Sequence, residues 1–233
     1  MSITVRHGRN AHWGPHVFLE GTGAAEEIRD AYARDSAGWP PLHFAIAAAT
    51  AETLDPWYRL GFAQMHAYGM RESGGERVPT AGVTIRRGGP DDLEIALRVD
   101  RLIHEAQAAS PSYSSVAFDE GPFRADWVET LAAEDTAYFV AEDAAGVVGH
   151  ATVYPDPVDE QALHLASTAV LPASRGSGVG VALTTHALAY TAETGYPRMR
   201  TNWRVTNLGA SRFWPARGFR LTHIRLVRRL PDL

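Results

Sequence analysis

The chain has 233 residues, of which 45% are hydrophobic and 21% charged, a composition typical of a globular protein rather than a disordered one. A net charge of −5 gives no electrostatic support to nucleic-acid binding. The lack of cysteine excludes disulfide bonds, a thiolate nucleophile and a cysteine-ligated zinc site. Because there is neither a leader-like N-terminus nor an apolar stretch long enough for a membrane, we expect a cytoplasmic protein with no metal and no membrane partner.

The first part of the chain repeats the last part. Aligned without gaps at an offset of 157 residues, residues 7–71 share twelve identities with residues 164–228, and most fall on turn residues and aromatics. They include His7/His164, Gly21/Gly178, Gly23/Gly180, Gly38/Gly195, Trp57/Trp214, Gly61/Gly218, Phe62/Phe219 and His66/His223. The repeat predicts two units, residues 1–75 and 76–233, with a polar linker at 71–80. Phe18 and Thr50 stand where the later copy has Arg175 and Asn207.

Strand and helix patterns alternate along the second unit. A helix over 91–108 is indicated by apolar residues at helical spacing, and a later helix stops at Gly195, which Pro197 follows. Strands are predicted at 83–86, 136–142, 147–154, 162–170, 198–204 and 219–229, and further helices at 123–133, after the glycines at 176–180, and at 207–216. The alternation predicts a mixed α/β (α+β) fold.

A glycine-rich turn connects the strand 162–170 to the next helix. Arg175, Gly176, Gly178 and Gly180 lie where backbone N–H groups and a helix N-terminus can converge on a phosphate or pyrophosphate. The dinucleotide fingerprint fails because Leu183 stands at the third glycine position, and a P-loop fails because the chain has no lysine. The turn therefore indicates another kind of phosphate ligand, or a turn that binds nothing.

The pattern of this turn and two further segments narrow this choice. Arg175, Gly178 and Gly180 fit the pattern [Q/R]-x-x-G-x-[G/A], which resembles the acetyl-CoA pyrophosphate loop of the GNAT N-acetyltransferase superfamily. The segment 207–219 resembles the one that follows it in that family, and 138–153 resembles the family's second and third strands. The resemblance implies a mainly antiparallel sheet flanked by helices, preceded by a degenerate half-copy of the same fold in residues 1–75.

The resemblance also implies a set of acetyl-CoA contacts. Val170 would stabilise the developing oxyanion through its N–H group, and such a donor is typically worth about 10²–10³ in rate. The implied cofactor-binding residues are Ala169, Val170, Arg175, Gly176, Ser177, Gly178, Val179, Gly180, Asn207, Phe213 and Trp214.

The general base is less defined by the sequence. His164 lies where histone-type members of the family carry a catalytic Glu, and an imidazole suits proton uptake near neutral pH. The alternative is a strand histidine that is hydrogen-bonded or solvated, an interpretation supported by the copy at His7. Glu160, His150 and Tyr154 are further candidates.

The family's usual acid is replaced. Many GNATs protonate the thiolate with a Tyr where this chain has Trp214, and an indole N–H donates a hydrogen bond without delivering a proton. Water or Tyr190 would then protonate the thiolate, or it would leave unassisted. Asn207 is expected to contact the cofactor, to cap its helix, or to do both.

The acceptor pocket is expected between the first two helices of the second unit. Tyr113 and Phe118 are its predicted substrate-binding residues, and the acidic stretch 156–160 is a candidate wall that would favour a cationic amine. These features predict transfer of an acetyl group from acetyl-CoA to a primary amine, on a small molecule or a peptide, by direct attack in a ternary complex. The alternative is a catalytically silent acyl-CoA sensor or scaffold, and a homodimer is possible for either.

Overall fold

The computed structural model describes residues 3–10, 14–109 and 118–230. Its strands are β1 (Thr4–Asn10), β2 (Gly14–Glu20), β3 (Leu42–Ala48), β4 (Ala63–Glu72), β5 (Thr84–Arg87), β6 (Ala137–Asp143), β7 (Gly146–Pro155), β8 (Ala162–Val170), β9 (Arg198–Arg204) and β10 (Arg220–Arg229). Its helices are α1 (Ala25–Asp35), α2 (Ala51–Arg59), α3 (Leu93–Ala108), α4 (Glu120–Ala132), α5 (Val179–Glu193) and α6 (Leu208–Ala216).

All ten strands form one sheet, in the order β1-β2-β3-β10-β4-β9-β8-β7-β6-β5. The pairs β2–β3 and β8–β9 are parallel, and the other neighbours are antiparallel. The predicted mixed fold with a mainly antiparallel sheet is therefore confirmed. Predicted strand and helix bounds in the second unit hold to within a few residues, although α4 begins at Glu120 because Asp119 caps it there.

Helices cover the two faces of the sheet unequally. One face packs on α1, α2, α5 and α6, which contribute Ile28, Trp57, Leu183 and Trp214 to a single buried cluster. The other face is covered at β6 to β8 by α3 and α4, through a second cluster that includes Val99 and Trp127. Among the described residues, no helix covers this second face over β2, β3, β4 and β10.

The repeat reappears in the elements themselves. Shifted by 157 residues, α2 and β4 coincide with α6 and β10, while α1 and β3 fall within a few residues of α5 and β9. Turn geometry recurs as well, since φ is +79° at Gly61 and +82° at Gly218. The N–H of Phe62 bonds to the Trp57 carbonyl at 3.0 Å, and the N–H of Phe219 to the Trp214 carbonyl at 3.2 Å.

The two regions exchange their last strands. β4 lies between β10 and β9, and β10 lies between β3 and β4, so both neighbours of each strand belong to the other region. The strand order from β2 to β8 is therefore symmetric about the β10–β4 pair. The N-terminal region docks on the rest of the chain by entering its sheet.

The ungapped alignment of the two regions does not match the structure at one place. Phe18 lies within β2 and not in a loop equivalent to that of Arg175. β2 pairs in parallel with β3 as β8 pairs with β9, yet β2 begins nine residues later than the offset requires. Because β2 runs almost directly into α1, this region has no room for a long glycine-rich turn.

Candidate active site

A cleft opens where β8 and β9 separate. The two strands pair only from Ala162↔Arg198 to Leu165↔Thr201, and the Thr201 hydroxyl donates to the Leu165 carbonyl at 2.9 Å beside the last pair. Beyond that point β8 continues to Val170 with pairing on its β7 side alone. The gap forms a cleft of about 660 Å³, lined by β8, β9, α3, α6 and the start of α5.

The backbone of Val170 faces this gap. The N–H of Leu171 bonds to the Val148 carbonyl of β7 at 2.8 Å, and successive residues of a strand direct their N–H groups to opposite edges. The N–H of Val170 therefore points away from β7, toward β9. Ala169 also lines the cleft, but its carbonyl points toward β7, 2.8 Å from where a Cβ on Gly149 would lie. The predicted backbone contact from Ala169 is thus not favoured.

The N-terminus of α5 points into the other end of the cleft. Its first helical hydrogen bond joins the N–H of Ala182 to the Gly178 carbonyl at 3.0 Å, so the N–H groups of residues 179–181 have no helical acceptor. Gly178 has φ of +96°, and a Cβ there would lie 3.2 Å from Thr80 Oγ1. This turn therefore requires glycine, and it presents backbone donors and a helix dipole to an anion.

The α6 wall supplies an amide and two aromatic rings. Asn207 lines the cleft while its side-chain oxygen accepts from the Ala210 N–H at 3.1 Å, so the predicted helix cap is present. Phe213 and Trp214 also line the cleft, with their ring centroids 5.0 Å apart. The Trp214 ring packs on Phe219 at 5.4 Å, which ties this wall to the core.

Most predicted cofactor contacts meet in the cleft, but several site residues do not. Val179 is buried in the core, and the exposed Ser177 closes the turn by donating to the Ser174 carbonyl at 2.7 Å. Phe118 packs instead on His104 and Phe123, with ring centroids at 5.3 and 4.9 Å, and does not line the cleft. Tyr113 lies outside the described residues.

His164 lies beneath the cleft, 6% exposed, with both ring nitrogens engaged. Its Nδ1 is 3.2 Å from Asp156 Oδ2, and its Nε2 is 3.1 Å from the Asn202 amide nitrogen. An ionised Asp156 requires a proton on Nδ1, which leaves Nε2 to accept from Asn202. These contacts favour the hydrogen-bonded strand histidine over the base.

The acidic stretch 156–160 contains two aspartates that are already paired with arginines. Burial alone would raise the pKa of Asp156, but the His164 hydrogen bond, the Val158 N–H and the Arg200 charge outweigh it and lower the pKa to about 2. Arg200 contacts Asp156 at 3.1 Å, and Arg198 contacts Asp159 at 3.0 Å. Arginines on β9 thus balance these two carboxylates, and none of residues 156–160 lines the cleft, so the predicted attraction of a cationic amine by this stretch is not supported.

The other candidate bases also lie outside the cleft lining. His150 is fully buried, with Nδ1 3.2 Å from the Tyr138 hydroxyl and Nε2 3.0 Å from Ser167 Oγ. Tyr154 stacks at a tilt on His164 with ring centroids 5.4 Å apart, and Glu160 is exposed on the turn before β8. Tyr190, a candidate acid, packs on Phe139.

Several cleft residues were not predicted from the sequence, among them His66 from β4, and Asn202 and Arg204 from β9. A signal for the last two was present, because polar residues alternate with buried ones from Arg198 to Arg204. For His66 the only sequence signal was its identity with His223 in the repeat. Nothing in the local sequence indicated that β4 lies beside β9.

Within residues 3–10, 14–109 and 118–230, no group of three His, Asp or Glu side chains is placed to hold a metal ion. None of the helices in those ranges is both long and apolar enough to cross a membrane.

Part of the chain matches a known protein family. Residues 99–219 match the profile of the Acetyltransferase (GNAT) family, which spans more than half of the chain and includes β6 to β9, α5 and α6. No curated protein is similar enough to be matched.

Solved structures share the fold at low sequence identity. A GCN5-related N-acetyltransferase from Kribbella flavida has 16% identity and a TM-score of 0.56, over 100% of this chain and 91% of the other. One from Sphaerobacter thermophilus has 15% identity and a TM-score of 0.52, over 99% and 78%. A functionally unknown conserved protein from Staphylococcus epidermidis has 11% identity and a TM-score of 0.59, over 94% and 86%.

Proposed function

The chain belongs to the acetyltransferase (GNAT) family, and we propose that it transfers an acetyl group from acetyl-CoA to a primary amine by direct attack in a ternary complex. One observation carries this proposal: the split between β8 and β9 places the N–H of Val170 in the same cleft as the N-terminus of α5. Because acetyl-CoA is a cytoplasmic metabolite, we propose the cytoplasm as the site of action.

The described residues fit acetyl-CoA as the donor. Arg175 and the free N–H groups of residues 179–181 would hold the pyrophosphate, where the positive φ of Gly178 aims the turn at its ligand. The unpaired edge of β8 would bind the pantetheine amides as a further strand would, and Phe213 and Trp214 would flank it. The thioester carbonyl would then meet the N–H of Val170 as the amine attacks and the C–S bond breaks.

The proton of the amine has no strong acceptor in the cleft. Among the described lining residues there is no Asp or Glu, and His66 is the only histidine. Burial, reinforced by the charges of Arg204 and Arg225, lowers the pKa of His66 to about 2, which makes it a very weak base. We therefore propose that the amine reacts in its neutral form and releases its proton to water, while the thiolate leaves without a protein acid.

His164 acts in this scheme as a positioning residue. Asp156 fixes the tautomer of His164, and His164 fixes the orientation of the Asn202 amide at the cleft wall. If His164 were the base, its removal would lower the rate by about 10²–10⁴ and abolish an acidic limb of the pH–rate profile. We expect instead that kcat/KM rises with pH as the amine substrate loses its proton, and that the wild type and His164→Gln show the same rise.

A second candidate function is a silent acyl-CoA-binding module. The lack of a carboxylate among the described lining residues favours it. Calorimetry with acetyl-CoA and thiol release with a panel of amines would separate the two. Binding and transfer support the enzyme, binding without transfer supports the module, and no binding contradicts both.

We also propose that residues 1–75 are a degenerate half-copy of the GNAT fold, with residues 76–233 as the complete domain. The coincident element bounds, the matched turns and the symmetric strand order support this origin. The half-copy would be structural, and it completes one cleft wall through His66. Since both regions meet within one chain, a homodimer is not needed to complete this cleft.

A further inference from the structure

A row of three side chains crosses the sheet beside the cleft. Arg204 on β9 lies opposite His66 on β4, and His66 lies opposite Arg225 on β10. Neighbouring residues on the same strands are buried in the cluster under α1, α2, α5 and α6: Ala67, Trp203 and Ile224. Because successive side chains of a strand alternate between faces, the row lies on the opposite face, away from the N-terminus of α5.

The two arginines of this row have no carboxylate partner. No Asp or Glu in the described ranges forms an ion pair with Arg204 or Arg225. The Nε atoms of both are buried without a hydrogen-bond partner. On the same face of β9, Arg198 and Arg200 are instead paired with Asp159 and Asp156. The Nε of Arg198 is also buried without a partner, so the row differs from these neighbouring arginines only in having no carboxylate to balance its charge.

The immediate surroundings of the pair are aromatic rather than acidic. Arg204 has one polar contact, Nη1 at 3.4 Å from His66 Nδ1, and the Arg225 guanidinium lies 5.7 Å from the ring centroids of Phe18 and Tyr68. Burial, and after it the charge of Arg225, lower the pKa of Arg204 to about 10. Arg204 remains protonated at neutral pH, so the row holds two positive charges with no negative charge to balance them.

His66 completes the row as a neutral group. Its pKa of about 2 keeps the ring uncharged at working pH, so it adds no third positive charge. If Nδ1 accepts from Arg204, the ring proton lies on Nε2, which makes that atom a hydrogen-bond donor. Both His66 and Arg204 line the cleft that holds Val170. An anion bound to Arg204 and His66 would thus lie in the cavity where the acceptor meets the thioester, with Arg225 next to His66 but outside the cleft lining.

We propose, on the basis of the acetyl transfer proposed above, that the acceptor is an amine carrying an anionic group, a carboxylate or a phosphate, which Arg204 and Arg225 bind. The planar guanidinium fork matches both oxyanions, and either would supply the missing partners of the two Nε atoms. Polycationic amines would be repelled by the same charges. The row draws His66 from one region of the chain and both arginines from the other, so neither region forms it alone.

A binding experiment tests this site without requiring turnover. The probes are phosphoethanolamine and alanine, with ethanolamine and alaninamide as the matched amines without the anion, added to protein saturated with CoA. We expect at least one anionic probe to raise the melting temperature while its neutral match does not. In Arg204→Gln and Arg225→Gln, its apparent affinity should fall by about tenfold or more. In Arg198→Gln, on the same strand and face, it should be unchanged.

Two results of this experiment would overturn the proposal. Stabilisation by neither anionic probe, or stabilisation that persists in both Arg204→Gln and Arg225→Gln, would exclude the anion site. Phosphoethanolamine acting without alanine assigns a phosphate, and the reverse assigns a carboxylate. The proposed function fails separately if calorimetry detects no acetyl-CoA binding to wild type. In that case the same probes, added without CoA to wild type and to the arginine variants, still test the anion site.

Discussion

The regions α1–β3–α2–β4 and α5–β9–α6–β10 share a backbone frame but differ in what their helix ends can bind. Thr50 and Asn207 cap α2 and α6 at matching positions, and Trp57 and Trp214 are buried on those helices. The contrast lies at the preceding helix. The residue before α1 is Ala24, in an extended conformation, whereas the residue before α5 is Gly178, with positive φ. The shared backbone fold depends on turns and on buried aromatic residues. Ligand binding depends on the glycine-rich turn before α5.

The largest effect is expected from separating the two regions. In a fragment of residues 76–233, β10 loses both of its neighbours, because β3 and β4 belong to the N-terminal region. The apolar faces of β9 and β10 would be exposed with their backbone groups unpaired. We expect this fragment to be insoluble or to show no cooperative melting, and co-expression with residues 1–75 to restore a folded protein. A stable fragment that binds acetyl-CoA alone would contradict this.

The next effect concerns the glycine turn and its counterpart. Gly178→Val should abolish acetyl-CoA binding in calorimetry with the fold intact by circular dichroism, because a β-branched residue at φ of +96° would displace the turn. The matched control is Gly21→Ala, at the same repeat position. A Cβ there meets Ile3 and Trp57 at ordinary distances of 3.5 and 3.7 Å, so binding should be unchanged. If Gly178→Val and Gly21→Ala bound acetyl-CoA with the same affinity, the proposed difference between the two regions would be contradicted.

A smaller effect distinguishes two arginines on β9. Arg200→Gln leaves the fully buried Asp156 side chain without its cation, and loss of one partner of a buried pair costs about 3–5 kcal/mol of unfolding free energy. Arg204→Gln removes an uncompensated charge, so we expect a change within about 0.5 kcal/mol, or a gain. Denaturant unfolding of both variants measures the difference. Comparable destabilisation by the two would mean that Arg204 has a structural partner.

The smallest effect is a pH dependence that separates His66 from its repeat partner His223. His66 has a pKa of about 2 when folded and about 6.5 when unfolded, so the unfolded chain binds more protons between these values. Its contribution to stability is complete above pH 6.5 and falls with decreasing pH, by up to about 1.4 kcal/mol per unit. His66→Gln should flatten the dependence of unfolding free energy on pH between 4 and 6.5. His223→Gln should flatten it less, since His223 is exposed and His66 is buried, although partial burial lowers the pKa of His223 as well.

Much of the frame could be predicted from local sequence. Apolar spacing and the glycines at 176–180 and 195 predicted the strands and helices of the second region, because these signals act over a few residues. The arginine row could not be predicted in this way. It depends on β4 and β10 exchanging places, a register set by packing between residues far apart in the chain. His164 illustrates the same limit, since Arg200 and Asn202 on the neighbouring strand determine its environment.

The crystal structure of the full chain with CoA tests the central claim most directly, because that claim gives two similar regions one binding site. We predict one CoA per chain, with its pyrophosphate at the N–H groups of residues 179–181 and its thiol between β8 and β9 near Val170. Pyrophosphate bound instead at the N-terminus of α1, or a second CoA bound there, would contradict the account. So would a CoA whose thiol lies outside the β8–β9 gap.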